Sequence, residues 1–474
     1  MQLVVGVDSS TTACKVQVRD VETGDIVATG RADHPPTTPP RSEQHPLEWE
    51  SAFAAACAQA GVPETHAPTA VAVAAQQHGL IVLGTEGEVL RPAKLWNDTE
   101  SAPDAAELVS ALPGGQAAWA AACGSVPVPA FTVTKLKWLQ RCQPEVLQRT
   151  ASVLLPHDWL TFRLTGRRTT DRGDASGTGY WSPHEERYRY DLLELVDGGV
   201  DWPSLLPEVL KAGGVAGEWG ATGARVAAGT GDNMAAALGL GLRPGDLVLS
   251  LGTSGTAFTV REEPTADPTG TVAGFADATG RFLPLVCTMN ATKVTDAMAR
   301  LLGVDHERFD ELALQAPAGA RGLVLVPYFD GERTPNRPDA SGLLTGLRAD
   351  VSAALLARAA VEGVVCNLLA GADSLKPVEG RVFLVGGAAR SAAYRRVVAD
   401  LTGRAVVVPA ESELVAAGAA VQAAAIHLGC GFEQVAEAWG LGHGVFVEPN
   451  TTVDAVGIRS AYAAAAAGPG PMAR

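Results

Sequence analysis

The sequence predicts an α/β fold built as two related lobes flanking a central cleft. A hydrophobic run, Leu3–Val7, passes through the polar turn Asp8–Thr12 into an alternating run, Lys15–Arg19. The same order of strand, small polar turn and strand recurs at Leu247–Leu251, Gly252–Thr256 and Ala257–Val260. At 474 residues the chain is too long for one ordinary core and comfortable for two.

The remaining elements follow from pattern and punctuation. Gly24-Asp25 marks a hairpin turn before a strand at Ile26–Ala28. A Pro-rich loop, His34–Arg41, leads to a helix over Trp49–Ala60. Ala70–Ala75 is a buried strand that runs straight into Gln76-Gln77-His78-Gly79, and Leu80–Leu83 is the next strand. Late in the chain, Val382–Val385 is a strand ending in Gly386-Gly387-Ala388-Ala389. Tyr394, Val397, Val398 and Leu401 then recur at helical spacing, and Ala405–Val408 returns to the sheet. Strand, helix, strand in that order implies a parallel crossover. The lobes are expected at 1–240 and 241–462, with residues 463–474, rich in Ala, Gly and Pro, as a disordered tail.

Composition removes several function classes. With 47% hydrophobic and 19% charged residues the chain is globular rather than disordered. A net charge of −15 argues against nucleic acid and anionic membranes as partners, both of which need basic surface. It leaves ATP open, because amides, hydroxyls and a metal act locally. The cysteines at 14, 57, 123, 142, 287, 366 and 430 form no CxxC pair and no zinc spacing. They read as buried small hydrophobes of a cytoplasmic protein. Leu3–Val7 is a strand without the basic flank of a signal peptide. The Ala416–Ala425 run is short and broken by Gly and Gln, which reads as a packed helix rather than a membrane span.

The turns carry the chemistry. Asp8 at a strand end, beside Ser9, Ser10, Thr11 and Thr12, suits a metal–phosphate complex: amides and hydroxyls take phosphate oxygens and the carboxylate takes the hard cation. The same string is also an ordinary Asp/Ser turn. Gly252-Thr253-Ser254 is a hairpin turn or a place where amides approach a phosphate closely. Gly386-Gly387 serves strand–helix packing, or lets a base and ribose lie on the backbone. No GxxxxGKS/T motif occurs, which excludes a P-loop kinase. Asp232, in Gly229-Thr230-Gly231-Asp232-Asn233, is either a helix N-cap or a general base that deprotonates an attacking hydroxyl. Gln76-Gln77-His78-Gly79 places hydroxyl-reading groups at a strand end, and Trp96-Asn97-Asp98 adds an aromatic face with polar neighbours.

In this order the motifs resemble the FGGY family of carbohydrate kinases over nearly the whole chain. Val5–Thr11 resembles the first phosphate motif, and Ser42-Glu43-Gln44 with Glu48-Trp49 an early sugar-side segment. Pro92–Asp98, Phe131–Leu139, Leu154–Leu160, Leu164–Gly166 and Asp174–Thr178 continue the likeness. Ser250–Gly255 resembles the second phosphate motif, and Pro327–Pro335 is a further family-like string. Gly342–Glu362 resembles the second signature, with Leu355 where a polar residue is usual. Val385–Ser391 resembles the adenosine motif, with Ala388 where a third Gly is often seen, and Ser9–Thr12 departs from the commoner first motif.

The resemblance implies two ribonuclease-H-like lobes of the actin-like ATPase superfamily. It implies Asp232 as catalytic base and Asp8 as the residue serving Mg²⁺ and ATP. Gln77, His78, Trp96, Asp232 and Asn233 would bind the sugar. Ser10, Thr11, Thr12, Gly252, Thr253, Gly386, Gly387 and Ala388 would bind ATP. The expected reaction is ATP-dependent phosphorylation of a ketose, D-xylulose first, to D-xylulose 5-phosphate. Ribulose, another ketose, or a polyol such as glycerol are the alternatives, and a non-catalytic sugar-responsive regulator on the same fold is the remote one. The expected partners are the ketose and ATP, and the likeness is compatible with a homodimer.

Overall fold

The computed structural model describes residues 1–375 and 377–468. The chain divides into two compact units. The first comprises Met1–Leu242, Arg261–Leu283 and Glu411–Gly442, and the second comprises Arg243–Val260, Pro284–Ala410 and His443–Arg474. The compact units are not continuous in sequence as the expected lobes 1–240 and 241–462 are, because the chain re-enters the first unit twice.

The sheet of the first unit runs in the order Ile26–Asp33, Ala13–Asp20, Leu3–Ser9, Ala70–Ala75, Ala224–Ala227, Val215–Trp219. Successive pairs along it are antiparallel, antiparallel, parallel, parallel and antiparallel. The sheet of the second unit contains the run Phe282–Thr288, Gly255–Thr259, Leu247–Leu251, Val382–Val385, Val406–Pro409, Gly444–Val447. Its pairs follow the same five-step sequence of directions. Two sheets of one topology in one chain establish the paired α/β lobes, and the parallel crossover expected at Val382–Val408 is present.

Period-two alternation sets the cores of the first unit. Val5, Val7, Val71 and Val73 face one side of the sheet, against Trp49 and Phe53 of the Pro46–Gln59 helix and Trp159 of the Pro156–Thr165 helix. Val4, Ala70, Ala72 and Ala74 face the other side, under Ala419, Val421 and Ala423. Those three belong to the Leu414–Leu428 helix, the Ala-rich run read as packed. Small residues let its backbone approach closely: a Cβ on Gly6 would lie 2.0 Å from Ala416 O, and one on Gly418 1.8 Å from Ala235 O.

In the second unit the Ala353–Ala372 helix is the central packing element, with sixteen of its residues buried. Its apolar stretch, extended to Leu375, is long enough to cross a membrane, but 78% of it is buried inside the protein. The departure at Leu355 fits this setting, since Leu355 is buried. The expected tail starts too early: Ala463–Ala466 close a helix that begins at Ala455, where Tyr462 anchors the packing at 3% exposure. Residues 469–474 of that tail lie outside the described residues. All seven cysteines are free, but Cys142 is exposed and Cys287 and Cys430 are half-buried, so the uniform burial expected of them fails at three positions.

Candidate active site

The site residues of the first unit collect where its central parallel strands end. Leu3–Ser9 and Ala70–Ala75 run side by side, so the turns after them share one sheet edge, the usual ligand edge of such sheets. Thr230-Gly231 adds to that edge by pairing in parallel with Ala74 and Ala75. Three stretches more than sixty residues apart thus meet: Asp8–Thr12, Gln76–Gly79 and Gly229–Asn233.

Hydrogen bonds tie them together. Thr11 Oγ1 donates to Gln76 Oε1 (3.1 Å) and accepts from Trp96 Nε1 (2.9 Å). Ser10 Oγ donates to Ala13 O, so this hydroxyl is spent on the turn, while Thr12 is exposed. Asn233 Nδ2 donates to Gln77 Oε1 (3.0 Å) and to Asp232 Oδ1 (2.8 Å), and the Asn233 amide donates to the same oxygen. Gln77 Nε2 is buried and has no partner among the described residues, which leaves it for a hydroxyl. The ring of His78 packs on Phe131 (4.9 Å) and Phe275 (5.6 Å). Trp96 is 39% exposed beside Thr11.

Asp232 is the first residue of the Asp232–Gly239 helix; the N-cap is Gly231 and no side chain caps it. The alternative of a plain N-cap therefore fails. Burial, then the charges of Asp8 and Asp174, push its carboxyl up to about 7, against two bonds from Asn233 that pull it down. That is the range a general base needs near neutrality. Asp8 is raised to about 6, chiefly by burial, with Lys15 opposing. Lys15 Nζ sits 3.7 Å from Asp8 Oδ2 and also pairs with Glu413. Asp8 Oδ1 is buried without a hydrogen-bond partner among the described residues. A buried, unpaired carboxylate oxygen fits a hard cation such as Mg²⁺.

The only grouping of potential metal ligands among the described residues is Glu43, Asp98 and Glu100. Lys94 Nζ already fills its centre, 3.2, 2.9 and 2.6 Å from the three carboxylates and 4.0 Å from the Trp138 ring centroid. The Ser42–Gln44 and Pro92–Asp98 strings thus act as a buried ion-pair scaffold.

In the second unit, Gly252–Ser254 joins the two strands that correspond to those flanking Asp8–Thr12. Thr253 O and Gly252 O accept from the amides of Ala291 and Thr292, so the turn is stitched to the start of the Thr292–Leu302 helix. Glu332, in the Pro327–Pro335 string, holds that segment by accepting from the Met289 amide, Asn290 Nδ2 and Asn367 Nδ2. Gly386 has φ +86°, and a Cβ there would lie 2.7 Å from Leu251 O. At Gly387 a Cβ would meet nothing within 4 Å. Gly387 and Ala388 line a cavity of about 510 Å³ together with Thr295, Asp296, Phe309 and Tyr394. The helices supplying those last four residues had no signal in the sequence beyond ordinary helical patterning. Lys15–Glu413 and Phe275 were missed because their partners lie hundreds of residues away.

Residues 3–239 match the N-terminal domain of the FGGY family of carbohydrate kinases, and residues 247–426 match its C-terminal domain. The chain is 48% identical to the xylulose kinase of Streptomyces rubiginosus, over 94% of this chain and 92% of that protein. It is 34% identical to the xylulose kinase of Escherichia coli K12, over 85% of each. The crystal structure of xylulose kinase from Bifidobacterium adolescentis superposes with a TM-score of 0.87 at 39% identity, covering 98% of this chain and 99% of that one. With both domains matched and its two sheets sharing one topology, this chain belongs to the FGGY family of carbohydrate kinases.

Proposed function

We propose that the protein transfers the terminal phosphate of ATP to a hydroxyl of D-xylulose, giving D-xylulose 5-phosphate and ADP. The kinase activity follows from the family, and the sugar from relatives named xylulose kinase at up to 48% identity. The observation that carries the reading is Asp232: a half-buried carboxylate that is not its helix's N-cap, with raised proton affinity and bonded through Asn233 to Gln77. Gln77, His78, Trp96 and Asn233 hold the sugar in this reading. Asp232 Oδ takes the hydroxyl proton as the oxygen–phosphorus bond forms and the bond to ADP breaks.

Asp8 holds Mg²⁺, which when bound neutralises charge on the phosphates. Ser10 shapes the first phosphate turn, with Thr11 and Thr12 beside it. Thr253 presents its amide to the phosphates, while the Gly252 amide closes the turn on Ser254 O (3.0 Å). Gly387 and Ala388, which follow Gly386, form the floor for the nucleoside in the 510 Å³ cavity. The seven free thiols support a cytoplasmic setting.

Coupled ADP release against D-xylulose, D-ribulose, L-ribulose, L-xylulose, xylitol and glycerol tests the substrate. D-xylulose is expected to give the highest kcat/KM, and a higher value for any other member overturns that choice. Asp232→Ala is expected to lower turnover by at least about a hundredfold while ATP binding persists. Near-normal turnover in that variant removes the base.

A further inference from the structure

Beneath the Gly229–Asn233 turn lies a charged cluster with no part in the transfer scheme above. His157, in the first turn of the Pro156–Thr165 helix, is fully buried. Its Nδ1 is 2.7 Å from Asp174 Oδ2, and its Nε2 is 3.2 Å from Asp158 Oδ1 and 3.9 Å from Asp171 Oδ1. Burial works against a charged ring, but Asp158, Asp174 and Asp171 outweigh it and lift His157 to about 9. The phenols of Tyr180 and Tyr188 also face these carboxylates, and burial keeps both protonated.

Two contacts connect the cluster to the turn. Asp171 caps the Arg172–Ser176 helix by accepting from the Gly173 and Asp174 amides, and its Oδ2 also accepts from Thr230 Oγ1 at 2.7 Å. The His157 ring lies directly on Gly229: a Cβ there would come within 2.7 Å of Cδ2, and the residue's φ is +76°. Gly229 and Thr230 immediately precede Gly231, the N-cap, and Asp232. A cluster of one imidazole and three carboxylates is a poor stabiliser beside packed apolar side chains. What it does supply is a fixed seat for the strand end that delivers Asp232.

We infer that His157 is a positioning residue for the phosphoryl transfer: as a cation bound by Asp174 and seated on Gly229, it holds the Asp171–Thr230 bond and, through it, the start of the Asp232 helix. This rests on the reading of Asp232 as the base. The expected signature is a loss in kcat with substrate binding retained, because a misplaced base costs the chemical step and not the sugar or nucleotide contacts.

Three variants test it, each measured for kcat, for KM toward sugar and ATP, and for thermal melting. His157→Gln keeps the size and removes the charge; its kcat should fall about 10- to 100-fold with both KM values within about twofold. His157→Lys restores a cation among the same carboxylates and should recover most of that loss. Thr230→Val cuts the link while leaving His157 in place and should lower kcat in the same way, which keeps the test open if His157→Gln does not fold. Wild-type kcat in Thr230→Val together with wild-type kcat, or no Lys recovery, at His157 overturns the inference. Asp232→Ala assayed alongside separates the two ideas: if it is inactive while His157→Gln and Thr230→Val are fully active, only the positioning role fails, and if it is active, the base reading fails first.

Discussion

At Asp232, the side chain's surroundings set a pH dependence. Its carboxyl is raised to about 7 by burial and by Asp8 and Asp174. As the proposed base, Asp232 must be deprotonated to accept the hydroxyl proton. Turnover should therefore be full above pH 8 and fall about tenfold per unit below about pH 6. A plot of log kcat against pH checks this, and a flat profile from pH 5 to 8 contradicts it. Asn233→Ala removes the side-chain bond that pulls this carboxyl down, so its acid limb should move to higher pH.

The placing of Asp8, Gln77 and Asp232 at strand ends was legible in the sequence because each follows an apolar run ending in a polar or Gly-rich turn, a pattern that marks the ligand edge of a sheet. His157 was not. Leu154–Leu160 stands in the sequence only as part of the family likeness, and only the fold brings Asp171 and Asp174 around the His157 ring. Nor did the sequence separate the role of Ser10, whose hydroxyl closes its own turn, from that of the exposed Thr12 beside it.

Elements differ in why they contain glycine. Gly418 exists for helix packing: its Cβ would collide with Ala235 O, Ala235 C and the Gly239 amide, all backbone atoms that cannot rotate away. Gly418→Val should cost at least about 1–3 kcal/mol, read as a melting temperature several degrees lower. Gly387 has open space where a Cβ would go, so Gly387→Ala should leave melting unchanged and raise the KM for ATP. If both variants melt as wild type, the close approach of the Asp232–Gly239 and Leu414–Leu428 helices is wrong. The strands themselves were readable from alternation. Their partner helix at Leu414–Leu428 was readable only as a helix, since an Ala-rich surface is generic and does not say which sheet it covers.

On the scale of the whole chain, the first unit is discontinuous. Val4, Ala70, Ala72, Ala74 and Ala227 depend for burial on a helix that the chain supplies after residue 411. A fragment 1–240 leaves that sheet face bare and should aggregate or stay unfolded, whereas the same fragment co-expressed with 411–442 should be recovered in soluble, folded form. Circular dichroism and gel filtration read the difference, and a stable monomeric 1–240 fragment would refute the assignment. The linear division at 240 came from the repeat of strand, turn and strand, which locates where each sheet begins but is silent on returning segments.

The Leu414–Leu428 helix thus imposes an order of events during synthesis. A ribosome that has made Asp8, Gln77 and Asp232 still holds a half-covered sheet, and nearly two hundred further residues must emerge before the covering helix arrives. Until then the nascent chain carries these residues on a surface exposed to chaperones and proteases, and completion of the first unit waits for residues 414–428.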